Sequence, residues 1–311
     1  MNEPSVFNGP EITMDKDVVH YGGIEHRDIH NIYGMMYHKA TYDGLKAREG
    51  GRQRPFFFIA SKTGFPITAP IWAHFPSASN FFDDNKMFMF GPALMVAPAT
   101  TPGELSTIKL AFPDTQAYYD YLGDSHFSGH VLPSDIPAPL DQTLVYGVGG
   151  NIIASRQRKR RSSALMKNDP YTLTVFVSRT GSPSVGSLYI DDGNSYDYTK
   201  NQFIYTDFTF KNATIYASHS SKYYNSHSNS NSNSNSDSPQ PFIDSQANVR
   251  YERIIVRGLR NTYFSTAMVY INDLFSHNTT VSCTKKRGGS CTIRDPQVFV
   301  STTNWHAKLV F

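Results

Sequence analysis

Glu3, in the opening stretch MNEPSVFNGPEITM, is the carboxylate whose surroundings best suit chemistry on a ligand. Pro4, Asn8, Gly9 and Pro10 around it read as the loop that follows a strand, because Asn-Gly-Pro continues neither helix nor sheet. Glycoside hydrolysis needs two carboxyl groups, about 5–5.5 Å apart for retention or about 6.5–9.5 Å for inversion. Glu3 alone is not a pair. His26 and His30 fall at i and i+4, a metal-ligand spacing, but the glutamate of His-Glu-x-x-His and a third ligand are missing, so no metal is expected there. Asp191, Asp192 and Asp197 lack the twelve-residue calcium-loop pattern and read as a turn. There is no Gly-x-Ser-x-Gly, no P-loop, no Gly-x-Gly-x-x-Gly before a helix and no Cys/His metal grid, so no cofactor is expected. Carboxylates and aromatic rings remain, the materials of sugar chemistry.

The elements that would position such groups are mostly strands. Of 311 residues, 39% are hydrophobic, 18% charged and 14% aromatic, with 19 Tyr and 21 Phe against 2 Trp, a balance that favours sheets. A net charge of +3 is too mild for a nucleic-acid surface, and the basic run RQRKRR from Arg156 to Arg161 reads as a solvated connector between strands. No apolar run reaches the ~18 residues of a membrane span, and the N-terminus lacks the basic and apolar regions of a signal peptide. Two features nonetheless suit the secretory pathway. The sequons at Asn212 and Asn278 are candidate glycosylation sites, and Cys283 and Cys291 bracket TKKRGGS, a hairpin-like stretch across which a disulfide could form.

Along the chain, EHRDIHNIYGMMYHKATYDGL predicts a helix with Ile29, Ile32, Tyr33, Met35, Met36 and Ala40 toward one face, stopping at Gly44. From Asn80 the pattern is antiparallel β: short segments rich in Val, Ile, Tyr, Phe and Thr, including KMFMFGPALMVAPAT, YTLTVFVSRTG, VRYERIIVRGL and AMVYIND. YIDDGNSYDY reads as a hairpin with Asp192-Gly193 as its positive-φ turn. The Asn/Ser tract at 223–241 has too few apolar residues to offset chain entropy and reads as a disordered insert.

Longer blocks carry a more specific signal. MNEPSVFNGPEITM, HYGGIEHRDIHNIYGMMYHKATYDGL and RPF resemble the central block of glycoside hydrolase family 31, nearest its glucosidase II alpha-subunit branch. FFDDNKMFMFGPALMVAPAT, QRKRRSSALMKNDPYTLTVFVS and GSLYIDDGNSYDY resemble that family's proximal and distal C-terminal β domains, so the likeness covers most of residues 1–215. It implies a remnant of a (β/α)8 barrel at 1–76, then all-β sandwich domains at 77–165 and 166–311, the second carrying the Asn/Ser insert. It further implies an O-glycosyl hydrolase of the retaining α-glucosidase type, trimming glucose from N-linked glycans in the endoplasmic reticulum lumen. Its substrate would be a glucosylated N-glycan or other α-glucoside, and its candidate partner the glucosidase II beta subunit.

The same resemblance sets the expected losses. The family nucleophile is the aspartate immediately before Met-Asn-Glu-Pro, a position ahead of Met1. The acid/base lies in a Trp-Thr-Gly-Asp-Asn segment after Arg-Pro-Phe, whereas RPFFFIASKTGFPITAPIW runs past that segment, and Ala69 stands where the family has arginine. Met1, Asn2 and Glu3 are then the remaining substrate-binding residues, and no catalytic residue is assigned. Without nucleophile and acid there is neither a glycosyl-enzyme intermediate nor a protonated leaving oxygen, so the chain as it stands is expected to be inactive. The alternative is a catalytically dead protein whose β domains bind carbohydrate or a partner.

Overall fold

The computed structural model describes residues 5–6, 9–13, 15–48, 67–84, 86–100, 107–123, 126–128, 134–139, 143–220, 238–259, 263–284 and 289–311. The chain divides into two units, one of residues 1–59 with 192–196, the other of residues 60–191 with 197–311.

In the first unit a short hairpin pairs β1 (Ser5–Val6) with β2 (Gly9–Thr13), and helix α1 spans His26–Ala47. The helix runs through Gly44 and does not stop there. One glycine costs only about 1 kcal/mol, and Leu45, Lys46 and Ala47 beyond it are good helix formers. Ile32, Met35 and Met36 on this helix are exposed. A (β/α)8 barrel is built from parallel strands alternating with helices. The only strands described in this unit are antiparallel, so the expected barrel remnant has no (β/α)8 arrangement among the described residues.

The second unit holds two β bodies. The first contains β3 (Thr68–Pro70), helix α2 (Ile71–His74), β4 (Phe88–Phe90), β5 (Leu94–Ala97), β6 (Thr107–Leu110), β7 (Ala117–Asp120), β8 (His126–Ser128), β9 (Ser134–Pro137) and β10 (Leu144–Val148). Six of these strands form an antiparallel sheet in the order β3-β4-β5-β10-β7-β8, while β6 pairs with β9. Aromatic rings fill its core. Phe112 lies 4.4 Å from Tyr118 and meets Tyr146 edge-on at 5.4 Å, and the Tyr118 hydroxyl donates to Asp114 Oδ1 at 2.7 Å.

The second body is a closed barrel of β11 (Asn151–Ser155), β12 (Tyr171–Phe176), β13 (Ser184–Ile190), β14 (Ile204–Lys211), β15 (Thr214–His219), β16 (Arg250–Arg257), β17 (Thr266–Ile271), β18 (Leu274–Cys283), β19 (Ser290–Phe299) and β20 (Asn304–Val310). Helix α3 (Gln240–Ser245) lies between β15 and β16. Around the barrel the order is β11-β12-β16-β19-β18-β17-β20-β15-β14-β13. Closure comes where β13 pairs in parallel with β11, with Asn151 opposite Val185 and Val185 N donating to Gly150 O at 3.0 Å. The expected sandwich is therefore a barrel: a sheet whose first and last strands pair leaves no open edge. Pairing changes from one body to the other at Gly149-Gly150, so β11 already belongs to the barrel, ahead of the expected boundary at 165/166. At the other end β3 belongs to the six-stranded sheet, inside the stretch expected to be barrel remnant.

Period-two alternation sets the inward faces. Ile204, Thr206, Phe208 and Phe210 of β14 and Trp305, Ala307 and Leu309 of β20 are buried between solvent-facing neighbours. Tyr251 is fully buried among them, 5.3 Å from Trp305 and edge-on to Phe208. β13 and β14 form the expected hairpin, but they join through residues 191–203, a longer connection than a two-residue turn. Gly193 does take a positive φ of 78° there. Most of the Asn/Ser tract, 221–237, lies outside the described residues. Gln240 and Pro241 at its end belong to α3.

His219, at the end of β15, hydrogen-bonds through Nε2 to Val300 O at 2.9 Å, while its Nδ1 is buried without a partner. Burial lowers its pKa, with the Val300 bond opposing. Below the ordinary value of about 6.5 the unfolded chain then takes up a proton that the folded barrel does not. This contribution to stability is complete above about pH 6.5 and is lost as pH falls toward the folded value. In His219→Gln the loss of denaturation midpoint between about pH 7.5 and 5 should shrink relative to the parent; an unchanged slope would contradict this.

Candidate functional site

Met1, Asn2 and Glu3 lie outside the described residues, as does the 49–66 stretch containing the Ser61–Gly64 junction. Ala69 is described: it sits in β3, 2% exposed, in the core of the six-stranded sheet.

His26 and His30 meet, but in a chain of rings. His26 Nδ1 faces His20 Nε2 at 3.0 Å and His26 Nε2 faces His30 Nδ1 at 2.9 Å, with Tyr33 edge-on to His26. Both nitrogens of the buried His26 are thus engaged with other imidazoles. Among the described residues no group of three or more His, Cys, Asp or Glu is placed to hold a metal. Asp192 caps its own turn, accepting from the backbone N–H of Asn194 and Ser195 at 3.1 Å.

The basic run is largely tied down. Arg160 grips Asp169 with two bonds of 3.0 and 2.7 Å, and Arg158 pairs with Glu252 at 3.2 Å. The Arg160 hydrogen bonds hold the Asp169 carboxyl below its usual range, against the opposing effect of burial. Arg156 donates to Lys167 O at 2.9 Å and stacks over Tyr171 at 4.4 Å. These contacts suit a structural connector.

Cys283 and Cys291 face each other across β18 and β19 and are joined by a disulfide. Asn212 stands exposed in the β14–β15 turn, and Asn278 is exposed on β18.

A concave feature lies where the two β bodies meet. Phe176 of β12 lies against Gly147 of β10, and Tyr119 of β7 lies against Gly258 beyond β16; a side chain at either glycine would overlap the ring it faces. Tyr119 stacks on Phe176 at 5.6 Å and its hydroxyl donates to Val177 O at 2.8 Å. Burial pushes the Tyr119 phenol up to about 12, with Arg257 opposing. Arg257, only 7% exposed, donates to Asp120 O and, at 2.7 Å, to Gly123 O.

Beside this lock opens a cleft of about 520 Å³. Tyr121, Leu122 and Gly123 form one wall, and Ser155, Thr174, Ile255 and Thr292 line the barrel surface opposite. Nothing in the local sequence around any one of these residues marks a site, because five separate segments supply it. A legible hint is Arg257-Gly258 directly after the apolar run Ile254-Ile255-Val256, where a charged residue continues a buried strand and needs partners.

The comparisons with known proteins now give the class. Residues 1–75 match the family model "Glycosyl hydrolases family 31 TIM-barrel domain", and residues 64–153 match "Glycosyl hydrolase family 31 C-terminal domain". Together the two matches run along residues 1–153 of the 311 and mark this part of the chain as similar to glycosyl hydrolase family 31. Among curated relatives it is similar to neutral alpha-glucosidase AB of Dictyostelium discoideum, 26% identical over 425 aligned positions that take in 97% of this chain and 42% of the relative. The chain spans less than half the length of that relative, and because 425 positions exceed its own 311 residues, a long stretch of the relative faces a gap. Among solved structures it resembles a glucosidase II alpha subunit with Glc1Man2 bound, at 24% identity and a TM-score of 0.78, over 100% of this chain and 46% of that one. It also resembles the heterodimeric glucosidase II complex of catalytic subunit and regulatory-subunit binding domain, at 23% identity and 0.76. At these identities the structural likeness speaks for fold.

Removing the Arg257 guanidinium strands the Asp120 and Gly123 carbonyls at the end of β7. Arg257→Ala should lower unfolding free energy by roughly 2–4 kcal/mol, read from urea midpoints at constant slope. A change below about 0.5 kcal/mol, the level of an ordinary surface substitution, would contradict the assigned role.

Proposed function

We propose that this chain carries part of an α-glucosidase-type O-glycosyl hydrolase that removes glucose from N-linked glycans. The observation that carries the reading is the collinear match of a family 31 barrel model and then a family 31 C-terminal model along residues 1–153. The names of the relatives support the α-glucosidase class. The structure with Glc1Man2 bound supports a glucosylated glycan as the substrate class, and the heterodimer supports a regulatory (beta) subunit as partner. By the same reasoning the working compartment is the endoplasmic reticulum lumen, where Asn212 and Asn278 are acceptable glycosylation sites and the disulfide is at home. Met1, Asn2 and Glu3 are proposed as residues of the sugar subsite.

The gap in the alignment favours a finer statement. Residues 1–311 by themselves lack hydrolytic activity, because the segment expected to hold the acid/base does not stand between Ser61 and Gly64. Without a positioned acid the leaving oxygen departs unprotonated, a loss of about 10²–10⁴ in rate from that group alone. The β bodies would then act as a folded scaffold.

The test is release of nitrophenol from an aryl α-glucoside. Residues 1–311 should give no release above the buffer rate. The product of the native messenger, if it encodes the missing barrel segment, should give release that an iminosugar blocks. Turnover by residues 1–311 would overturn the inactivity. Failure of a messenger product that does contain the barrel segment would overturn the α-glucosidase reading.

A further inference from the structure

Four aromatic rings stand in one row on the outer surface of the barrel. Tyr216 of β15, His306 of β20 and Tyr270 of β17 are direct cross-strand partners, and Phe275 of β18 lies opposite Tyr270. Tyr216 and His306 are 5.4 Å apart, His306 and Tyr270 stack at 4.5 Å, and Phe275 meets Tyr270 edge-on at 5.8 Å. Ala217, Ala307 and Val269, their neighbours along the strands, are buried, so the row faces away from the barrel core. Tyr216 and Phe275 at the two ends keep 48% and 53% of their surface exposed. An open aromatic surface of this kind, continuous over four strands, marks a place where something docks.

Strand register sets Asn278 beside the row. Asn278 lies opposite Met268, which precedes Tyr270 by two residues and so shares its face. The Tyr270 hydroxyl reaches back to Met268 Sδ at 3.8 Å, which leans that ring toward the level of Asn278. Phe275 joins them through a β-bulge. Residues three apart in a regular strand point to opposite faces, but here Val269 pairs with His277 and Tyr270 with Phe275, leaving Ser276 as the extra residue. Phe275 and Asn278 thereby face the same side. Asn278 is exposed, as is Thr280, which completes its sequon.

The chemistry of the sequon names the occupant. An N-linked chain begins with an acetamido sugar, whose ring presents C–H groups on its faces and polar groups at its edge. Those C–H groups suit the electron-rich face of an aromatic ring. The exposed Lys308, cross-strand from Met268, supplies N–H donors for the polar edge. Directly opposed Cβ atoms lie only about 4.5–5.5 Å apart, so a sugar on Asn278 starts beside Met268 and within a residue pair of Tyr270 and Phe275.

We propose that the glycan on Asn278 folds down onto this row, its first sugar against Phe275 and Tyr270, so that the barrel's aromatic surface is the docking site of the chain's own glycan. The proposal rests on the endoplasmic-reticulum part of the proposed function and is independent of hydrolysis.

The test uses the full chain with Asn212→Gln, so that Asn278 is the only sequon, led into the secretory pathway of cultured cells by a cleavable signal peptide. Peptide mass spectrometry should find Asn278 occupied. Trimming the glycan to its first sugar should leave a folding equilibrium constant about three- to tenfold above that of the sugar-free Thr280→Ala chain, the range of one aromatic contact, read from urea midpoints. In the Phe275→Ala background the same comparison should show no gain. An empty Asn278, an occupied one with no gain, or a gain that survives Phe275→Ala would each overturn the proposal. So would a sugar-free chain that dimerises in sedimentation and becomes monomeric in Phe275→Ala, since the row would then belong to a second copy. Because the signal peptide supplies entry to the compartment, a failure here is distinct from a failure of the compartment assignment, which is read from where the native protein resides.

Discussion

A guanidinium buried between two β bodies governs much of this structure. Arg257 ends a barrel strand, yet its donors are spent on the Asp120 and Gly123 carbonyls at the end of a strand in the neighbouring sheet. A charge so buried is tolerable only when its N–H groups are satisfied, and here the satisfying groups are backbone carbonyls, which tie the end of β7 to the barrel. The aromatic contacts share the constraint. Phe176 can reach β10 only because Gly147 has no side chain, and Tyr119 can reach the end of β16 only because Gly258 has none. Each body supplies one ring and one glycine, so the two surfaces interlock and leave the cleft at their edge.

How much of this the sequence discloses depends on the range of the interaction involved. Most barrel strands are legible because burial alternates with the chain's own period, as in β14, where Ile204, Thr206, Phe208 and Phe210 point inward. β20 carries the same alternation, with Asn304, His306 and Lys308 between the buried Trp305, Ala307 and Leu309. Barrel closure is not legible at all: one parallel pairing between β11 and β13 turns a sheet into a barrel, and no local pattern encodes which strands meet. The helix runs past the expected stop at Gly44 for the opposite reason, because a local breaker weighs less than the helix formers that follow it.

The candidate site divides in the same way. Met1, Asn2 and Glu3 carry a family signature that sequence reads directly, although they lie outside the described residues. The cleft has no such signature. Ser155 and Arg156 look like the start of a solvated basic run, and only the fold brings them to the same cleft as Tyr121 and Thr292.

The central claim is that the six-stranded sheet and the barrel are mechanically one body through the Tyr119–Gly258 and Arg257–Gly123 contacts. Hydrogen exchange of the full chain and of Gly258→Ala, followed by peptide mass spectrometry, tests it most directly. The account predicts that the variant, whose added methyl collides with the Tyr119 hydroxyl, speeds exchange in β7 and β16 together. Faster exchange confined to the few residues around position 258, with β7 as protected as in the parent, would contradict it.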